Sequence, residues 1–336
     1  MKKILFYLAA LAAPALVSCN KEQGDPTPGD GLPVEITVSI QGAPVSRAVG
    51  TTYADEARVN SLQVFVFNGD DREAYRSVTG AMNALVPAES GEKTVWAVVN
   101  APDLSSVMTL SALRSEVTLL SDNRKDSFVM TGSVTQELVD GGNVPVTVRR
   151  IVSRVSVAKI SADLKDYRED YSVRLEGIYL INVAAGNTYA VGGEALEWAN
   201  QLGHADVGFD PLLYDALEGV TVRNGSPYER EHAFYPYPNI LPQDGDQSYD
   251  DEWNPRGTML VIEAVMVEDD GITEHHGYYP IPLPALERNK TYVIEEVCIT
   301  RLPGDSPYKP IETGETQVMI TVSDWETGLN LGTITI

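Results

Sequence analysis

The chain has 336 residues and a formal net charge of −23 at pH 7, a length that predicts two domains, each able to bury a core. The acidic excess argues against a nucleic-acid partner, because binding to phosphates needs clustered basic side chains. Only two cysteines occur, and one of them, Cys19, is expected to carry lipid, so no intrachain disulfide is expected.

Residues 1–18 are predicted to be a secretory signal. Two lysines give it a positive start, and the apolar run over 4–13 is too short to span a bilayer as a permanent helix. The Leu-Val-Ser that precedes Cys19 is similar to the bacterial lipobox, so we expect lipid (palmitate) on Cys19. The alternative is a simple cleavable signal with a chance cysteine. Residues 19–33, rich in Gly, Pro and Asp, predict a flexible tether.

The first strand signal follows the tether directly. Four aliphatic residues of one parity define it: Val34, Ile36, Val38 and Ile40. Because polar residues stand between them, the pattern predicts one buried and one wet face. A loop with Gly, Pro and Ser comes next and contains Arg47, in a setting that suits protease access. The alternative is an ordinary surface arginine, because an isolated Ser-Arg-Ala has low specificity; the position just after the first strand favours cleavage.

Further strand signals, separated by turns rich in Gly, Asn, Asp and Pro, dominate the rest of the chain. The predicted strands are 62–67, 94–99, 128–131, 144–148, 153–160, 172–183, 259–267, 292–300, 318–323 and 329–336. One short helix is expected over 110–120, with its leucines and Val117 on one face. The pattern predicts an all-β protein of two sandwich domains, 34–150 and 151–336. The run over 144–160 marks the boundary, because it is too long for one strand.

No motif in the chain specifies an enzyme, a cofactor or a metal site. Neighbouring side chains point apart on a strand, so His275 and His276 are expected in a hairpin loop rather than on a shared metal. The acidic run 244–253 lacks the glycine and terminal glutamate of an EF-hand, which favours a solvated loop over a calcium site. Cys298 is expected to be a small core hydrophobe.

A group of aromatic residues lies beside the acidic run. Its members are Tyr235, Tyr237, Tyr249 and Trp253. Such a group is compatible with a platform for stacking sugars. It is also compatible with buried strand ends and loop anchors, which are the commoner use of such residues.

Five segments, each present once, follow one another along the chain in an order that is informative. They are the lipobox with its acidic tether, the first strand with Ser46-Arg47-Ala48, the pair FVMTGSV and VRRIVSRVSV, LERNKTYVIEEVCITRLPGDSPYKP, and VMITVSDWETGLNLGTITI. In this order and spacing they resemble the fimbrillin family, the type V pilins and fimbrial lipoproteins of Bacteroidia. The resemblance covers nearly the whole chain after the signal.

The resemblance implies two transthyretin-like β-sandwich domains and a structural subunit of a cell-surface fimbria. It implies an outer-membrane lipoprotein that an arginine-specific surface protease cleaves between Arg47 and Ala48. Loss of residues 34–47 then opens a groove that a C-terminal strand of another copy fills, giving an extracellular fimbrium. The implied partners are other copies, accessory fimbrial subunits and a host protein or glycan; no cofactor is implied.

The donor strand implied by this resemblance lies within residues 318–336. Its aliphatic positions are Val318, Ile320, Val322, Leu329, Leu331, Ile334 and Ile336. The parity changes between Leu331 and Ile334, so either Gly332 absorbs the change as a bulge or only part of the strand enters the groove. Trp325 is either an anchor for the turn or a routine buried aromatic.

Two alternatives remain open on the residues alone. The first is an anchor or tip lipoprotein of the same family, an adhesin that holds a glycan or host protein and does not itself polymerise. The aromatic and acidic stretch 235–253 motivates that alternative. A hydrolase on a β-sandwich has no motif behind it, since paired carboxylates arise by chance in so acidic a chain.

Overall fold

The computed structural model describes residues 31–41, 56–190, 192, 195–199, 212–241, 256–309, 321–325 and 333–335. These residues form β-strands, turns and one six-residue α-helix, so the predicted all-β class with one short helix is confirmed. Within the described ranges, no helix has the length and apolar character needed to cross a bilayer.

The elements follow in chain order. The first half contains β1 Pro33–Gln41, β2 Ser61–Asn68, β3 Asp71–Thr79, β4 Asn83–Glu89, β5 Gly91–Val99, α1 Leu110–Ser115, β6 Val117–Leu119, β7 Met130–Leu138, β8 Asn143–Thr147 and β9 Arg149–Arg150. The second contains β10 Arg154–Val157, β11 Ile160–Ala162, β12 Ser172–Ile181, β13 Val183–Ala184, β14 Gly186–Thr188, β15 Trp198–Ala199, β16 Tyr214–Val222, β17 His232–Phe234, β18 Met259–Val267, β19 Glu274–Pro282, β20 Lys290–Ile294, β21 Glu296–Ile299, β22 Thr321–Asp324 and β23 Thr333–Thr335. Two 3-10 turns lie at Leu120–Asp122 and Asp166–Arg168.

Two sheets form a sandwich in the first half of the chain. One has the order β4–β1–β8 and the other the order β3–β2–β5–β7–β9. The five-stranded sheet is covered on both faces, because successive residues of a strand point to opposite sides. Val64 and Val66 of β2 face the aliphatic core beneath β1, whereas Phe65 and Phe67 belong to a second, more aromatic core.

The second half of the chain builds three sheets of three or four strands. Their strand orders are β16–β12–β18–β19, β17–β10–β20–β22 and β11–β21–β23. The aromatic core continues among them, since one cluster of buried residues extends from Phe65 to Trp325. β9 pairs with β7, and β10 pairs with β17 and β20, so the sheets change at the run near Arg150. The domain bounds 34–150 and 151–336 stay a prediction.

The helix is shorter than the apolar pattern predicts. It begins after Thr109, whose hydroxyl accepts a hydrogen bond from the Ala112 amide at 3.1 Å. It ends at Ser115, because the residues that follow form β6, which pairs with β14. Val117 is therefore 42% exposed, and its assignment to the buried helical face is wrong.

Candidate functional site: the β1 groove

The first strand is the middle strand of its sheet. β1 pairs antiparallel with β4, from Pro33 opposite Glu89 to Ser39 opposite Asn83. On its other side it pairs parallel with β8, from Thr37 opposite Asn143 to Gln41 opposite Thr147. Removal of β1 would therefore expose the edges of two strands. We call the space that β1 fills between β4 and β8 the β1 groove.

The buried face of β1 consists of the four aliphatic residues expected from the alternation. Val34, Ile36, Val38 and Ile40 are 8%, 0%, 0% and 5% exposed. They pack in the aliphatic core against residues of β2, β5 and β8. Burying four such side chains contributes roughly 6–12 kcal/mol, at about 1.5–3 kcal/mol each. The groove without β1 would be a deep apolar strip between two unpaired strands.

The turn between β7 and β8 closes one end of the groove. The Asp140 carboxylate accepts a hydrogen bond from the Glu35 amide at 3.0 Å. The Gly141 amide donates to the Glu35 carbonyl, and the Thr37 amide donates to the Gly142 carbonyl, both at 2.9 Å. Gly141 has a φ of +69°, a left-handed conformation that glycine adopts without a Cβ penalty. This turn orients β1 along β8.

A close approach of backbones fixes β8 against the facing sheet. A Cβ built on Gly132 of β7 would lie only 2.0 Å from the carbonyl oxygen of Thr147. Only glycine allows β7 and β8 to lie this near each other. The wall of the groove that β8 forms is positioned by this contact.

The two C-terminal strands lie at sheet edges. Among the described residues, β22 pairs only with β20, from Val293 opposite Thr321 to Lys290 opposite Asp324. β23 likewise has β21 as its one described neighbour, and the register places Ile334 opposite Val297. Val322 and Ile334 thus lie on β-strands, as the donor assignment requires of them.

Trp325 directly follows β22 and is 2% exposed. Its amide donates to the Asn289 carbonyl at 3.1 Å, and its indole Nε1 donates to the Glu56 carboxylate at 3.2 Å. Trp325 is thus a buried aromatic, while the turn that it was expected to anchor lies outside the described residues. Glu56 carried no signal in the sequence that pointed to this contact.

Several expected site residues lie outside the described residues. These are Cys19, Arg47, Ala48, Val318, Ile320, Leu329, Leu331, Ile336 and the acidic run 244–253 with Tyr249 and Trp253. Their assignments stay predictions.

The interpretation of the aromatic group as a platform for stacking sugars is wrong for the two tyrosines that the structure describes. Tyr235 and Tyr237 are both 0% exposed. The Tyr237 hydroxyl donates to the Leu119 carbonyl at 2.9 Å, and burial raises its pKa above the ordinary value for tyrosine. Neither ring offers a face on which a sugar could stack.

The histidine pair and the second cysteine also differ from expectation. His275 and His276 lie on β19 rather than in a loop, and they contact different carboxylates, Glu268 at 2.8 Å and Glu274 at 3.1 Å. Across the part of the chain that the structure describes, no three metal-ligating side chains come together. Cys298 is half-buried, because its neighbours on β21 take the core-facing parity; burial raises the pKa of its thiol.

Comparisons with known proteins find similarity to fimbrial subunits. The family model "Major fimbrial subunit protein (FimA)" matches residues 33–164. "Major fimbrium subunit FimA type-2" of Porphyromonas gingivalis is 22% identical over 97% of this chain and 98% of its own length. The type-3 subunit of that organism is 27% identical, over 54% of this chain and about half (52%) of its own length.

A solved structure supports the same fold. The crystal structure of a fimbrilin from Porphyromonas gingivalis W83 matches with a TM-score of 0.61 at 15% identity, covering 90% of this chain and 97% of the fimbrilin. This likeness confirms the β-sandwich fold. The relatives are structural fimbrial subunits and not enzymes, which agrees with the lack of any catalytic motif.

Proposed function

We propose that this chain is a fimbrial subunit of the fimbrillin type, a pilin that polymerises by strand exchange, and its similarity to FimA-type subunits supports this. Export as a lipoprotein acylated on Cys19 places it at the outer membrane. Cleavage between Arg47 and Ala48 then frees residues 34–47, and a C-terminal strand of another copy takes their place. The observation that carries the proposal is the central position of β1, with four buried side chains between β4 and β8.

Strand exchange follows physically from an opened β1 groove. Two unpaired strand edges and an apolar strip attract any strand of matching pattern. Main-chain pairing supplies affinity, and the sites left by Val34, Ile36, Val38 and Ile40 select side chains of one parity and so set the register. A donor whose aliphatic residues alternate in the same way satisfies both requirements.

Cleavage changes the competition between the resident strand and the donor. While β1 is covalently attached, its effective concentration at the groove is high, and it outcompetes a strand from another molecule. After cleavage between Arg47 and Ala48, β1 becomes a separate peptide that dilutes once it dissociates. A donor strand in a growing fibre then replaces it without needing intrinsically tighter contacts.

The C-terminal segment is a suitable donor because its strands lie at edges. An edge strand breaks one set of pairings when it leaves, whereas a central strand breaks two. β22 and β23 each have a single neighbour in the described residues. The proposed donor, residues 318–336, can therefore leave the subunit body without dividing a sheet.

Export and cleavage are tested on protein sheared from native cells. We expect the intact mass and N-terminal sequence to show a start at Ala48, and an unheated denaturing gel to show a heat-sensitive ladder. Arg47→Ala should retain β1 and give no ladder. Arg58→Ala is the matched control, since Arg58 is a surface arginine (47% exposed) paired with Asp126. A normal ladder from Arg47→Ala that still carries β1 would refute the proposal.

The same preparation separates a pilin from an anchor or tip subunit. An acylated Cys19 terminus on surface protein, with a single gel band, would assign the chain to an anchor or adhesin. Palmitate labelling that is lost in Cys19→Ala and kept in Cys298→Ala would establish the lipid site. We propose that accessory fimbrial subunits are the partners at the two ends of the fibre.

A further inference from the structure

A buried carboxylate connects the region after the cleavage site with the C-terminal segment. Glu56 is 1% exposed. Its Oε1 atom accepts a hydrogen bond from the Tyr235 hydroxyl at 2.5 Å and lies 3.3 Å from Nε of Arg154. Its Oε2 atom accepts a hydrogen bond from the indole Nε1 of Trp325 at 3.2 Å. We name Glu56, Arg154, Tyr235 and Trp325 the Glu56 latch.

The charges in the latch are compensated. Arg154 also pairs with Glu231 at 2.7 Å, at the rim of the cluster. Burial lowers the pKa of the Arg154 guanidinium, but the negative charge of Glu56, with smaller contributions from Tyr235 and Glu231, raises it above its ordinary value. A buried charge deprived of its partner is strongly unfavourable, so Glu56 and Arg154 stabilise each other inside the cluster, while Glu231 lies at its rim.

A second guanidinium and three rings complete the packing. Arg150 donates two hydrogen bonds to the Glu56 carbonyl, at 3.2 and 3.0 Å, and lies over the Trp325 ring at 4.3 Å. The Phe128 ring lies 4.7 Å from the Tyr235 ring and 5.8 Å from that of Trp325. Both the backbone and the side chain of Glu56 are thus held at the junction of the two halves of the chain.

The latch joins two regions that the proposed function requires to move. Glu56 follows Arg47 closely in the chain, and Trp325 lies between the two C-terminal strands. Before cleavage, β1 restrains the chain on the N-terminal side of Glu56. After cleavage and loss of β1, residues 48–55 become a chain terminus, and contacts near a terminus fray more readily.

We propose that Glu56 is a positioning residue that holds Trp325, and with it the C-terminal strands, against the subunit until β1 has been removed. This inference rests on the proposed strand exchange. It adds a direct coupling between proteolysis at one end of the chain and release of the donor at the other. The contacts of the Glu56 carboxylate favour the conformation in which the donor strands stay on their own subunit, and loss of β1 weakens these contacts.

The test is amide hydrogen exchange of β22 and β23 in the full, uncleaved chain, with β1 as internal reference. Trp325→Phe removes the indole N–H and keeps an aromatic ring, and Glu56→Gln removes the charge and keeps the shape. Each should raise exchange in 321–324 and 333–335 by about threefold to tenfold, the range of one hydrogen bond. Exchange in β1 should stay unchanged, which also establishes that each variant is folded.

Glu231→Gln is the matched control. It removes an ion pair with the same Arg154, whereas the Trp325 indole donates its hydrogen bond to Glu56. We expect its C-terminal strands to exchange as in the unmodified chain. Equal exchange in Trp325→Phe and the unmodified chain would overturn the latch, as would an equal rise in Glu231→Gln.

Cleaved protein gives the second half of the test. Removal of β1 from the unmodified chain should raise exchange in 333–335 to the level of uncleaved Trp325→Phe, and no rise would overturn the coupling. The variant measurements need neither protease nor polymer. A chain that never polymerises would therefore defeat the proposed function while the exchange data still decided the latch.

Discussion

The first strand and the last two strands are held in opposite ways. β1 has nine residues, a neighbour on each side and four side chains in the core. Within the described residues, β22 and β23 cover Thr321–Asp324 and Thr333–Thr335 and have one neighbour each. A central strand is retained by burial and by two ladders, so its release calls for cleavage and a competitor. An edge strand depends on one ladder and on local anchors such as Trp325.

The largest expected effect on the free energy of unfolding comes from a substitution in the central strand β1. Ile36→Ala removes a fully buried side chain and leaves a cavity, so we expect a loss of about 2–5 kcal/mol in the free energy of unfolding. Urea denaturation of the full chain measures it. Thr37→Ala, the next residue on the opposite face, is the control and should cost far less. A loss below about 1 kcal/mol for Ile36→Ala would contradict core burial as the force that retains β1.

A smaller loss in the free energy of unfolding is expected from a substitution at Gly132, where β7 of the facing sheet lies against β8. In Gly132→Ala the new Cβ would lie 2.0 Å from the carbonyl oxygen of Thr147, a backbone atom that cannot move aside as the end of a flexible side chain could. We expect a loss of about 1–3 kcal/mol as β8 moves away from β7. Thermal unfolding would detect it. Ser133→Ala, at the exposed neighbouring position, should be nearly neutral, and equal stability of the two variants would exclude this contact as a determinant of the wall.

Deletion of β23 should lower the free energy of unfolding by less than either of these substitutions. A chain ending at Gly332 loses the single ladder between β23 and β21, which we expect to cost about 1–2 kcal/mol. Urea denaturation compares it with Ile36→Ala. The proposed function adds that this chain stays monomeric on an unheated gel. A stability loss equal to that of Ile36→Ala would remove the contrast between central and edge strands.

The smallest effect sharpens the distinction between the two faces of β1. The Ser39 hydroxyl donates to the Asn143 side-chain oxygen at 3.1 Å on the wet face. Ser39→Ala should change the free energy of unfolding by no more than about 0.5 kcal/mol. Its β1 amides should exchange at the unmodified rate. A change of several-fold would mean that the outer face also retains the strand.

The four longest strands that the sequence pattern missed lie at sheet edges, although the pattern did predict the edge strand β8. Alternation identified β1 and the buried β18, whose bounds match the prediction over 259–267. It missed β3, β4, β16 and β19, each of which is an edge strand. Edge strands carry charged residues and prolines that deter unwanted pairing, as in DREAYRSVT and EHHGYYPIP, so their period is weak.

The amino-acid sequence alone determined the all-β class and the buried parity of β1, because both follow from a period of two between neighbouring residues. Only the tertiary structure decided that β1 is central and that β22 and β23 are edges, since strand order depends on pairing between distant segments. The tertiary structure also decided that the Glu56 latch forms. Glu56, Arg154, Tyr235 and Trp325 are far apart in the chain, and a carboxylate is stable in the core only where folding brings its partners to it.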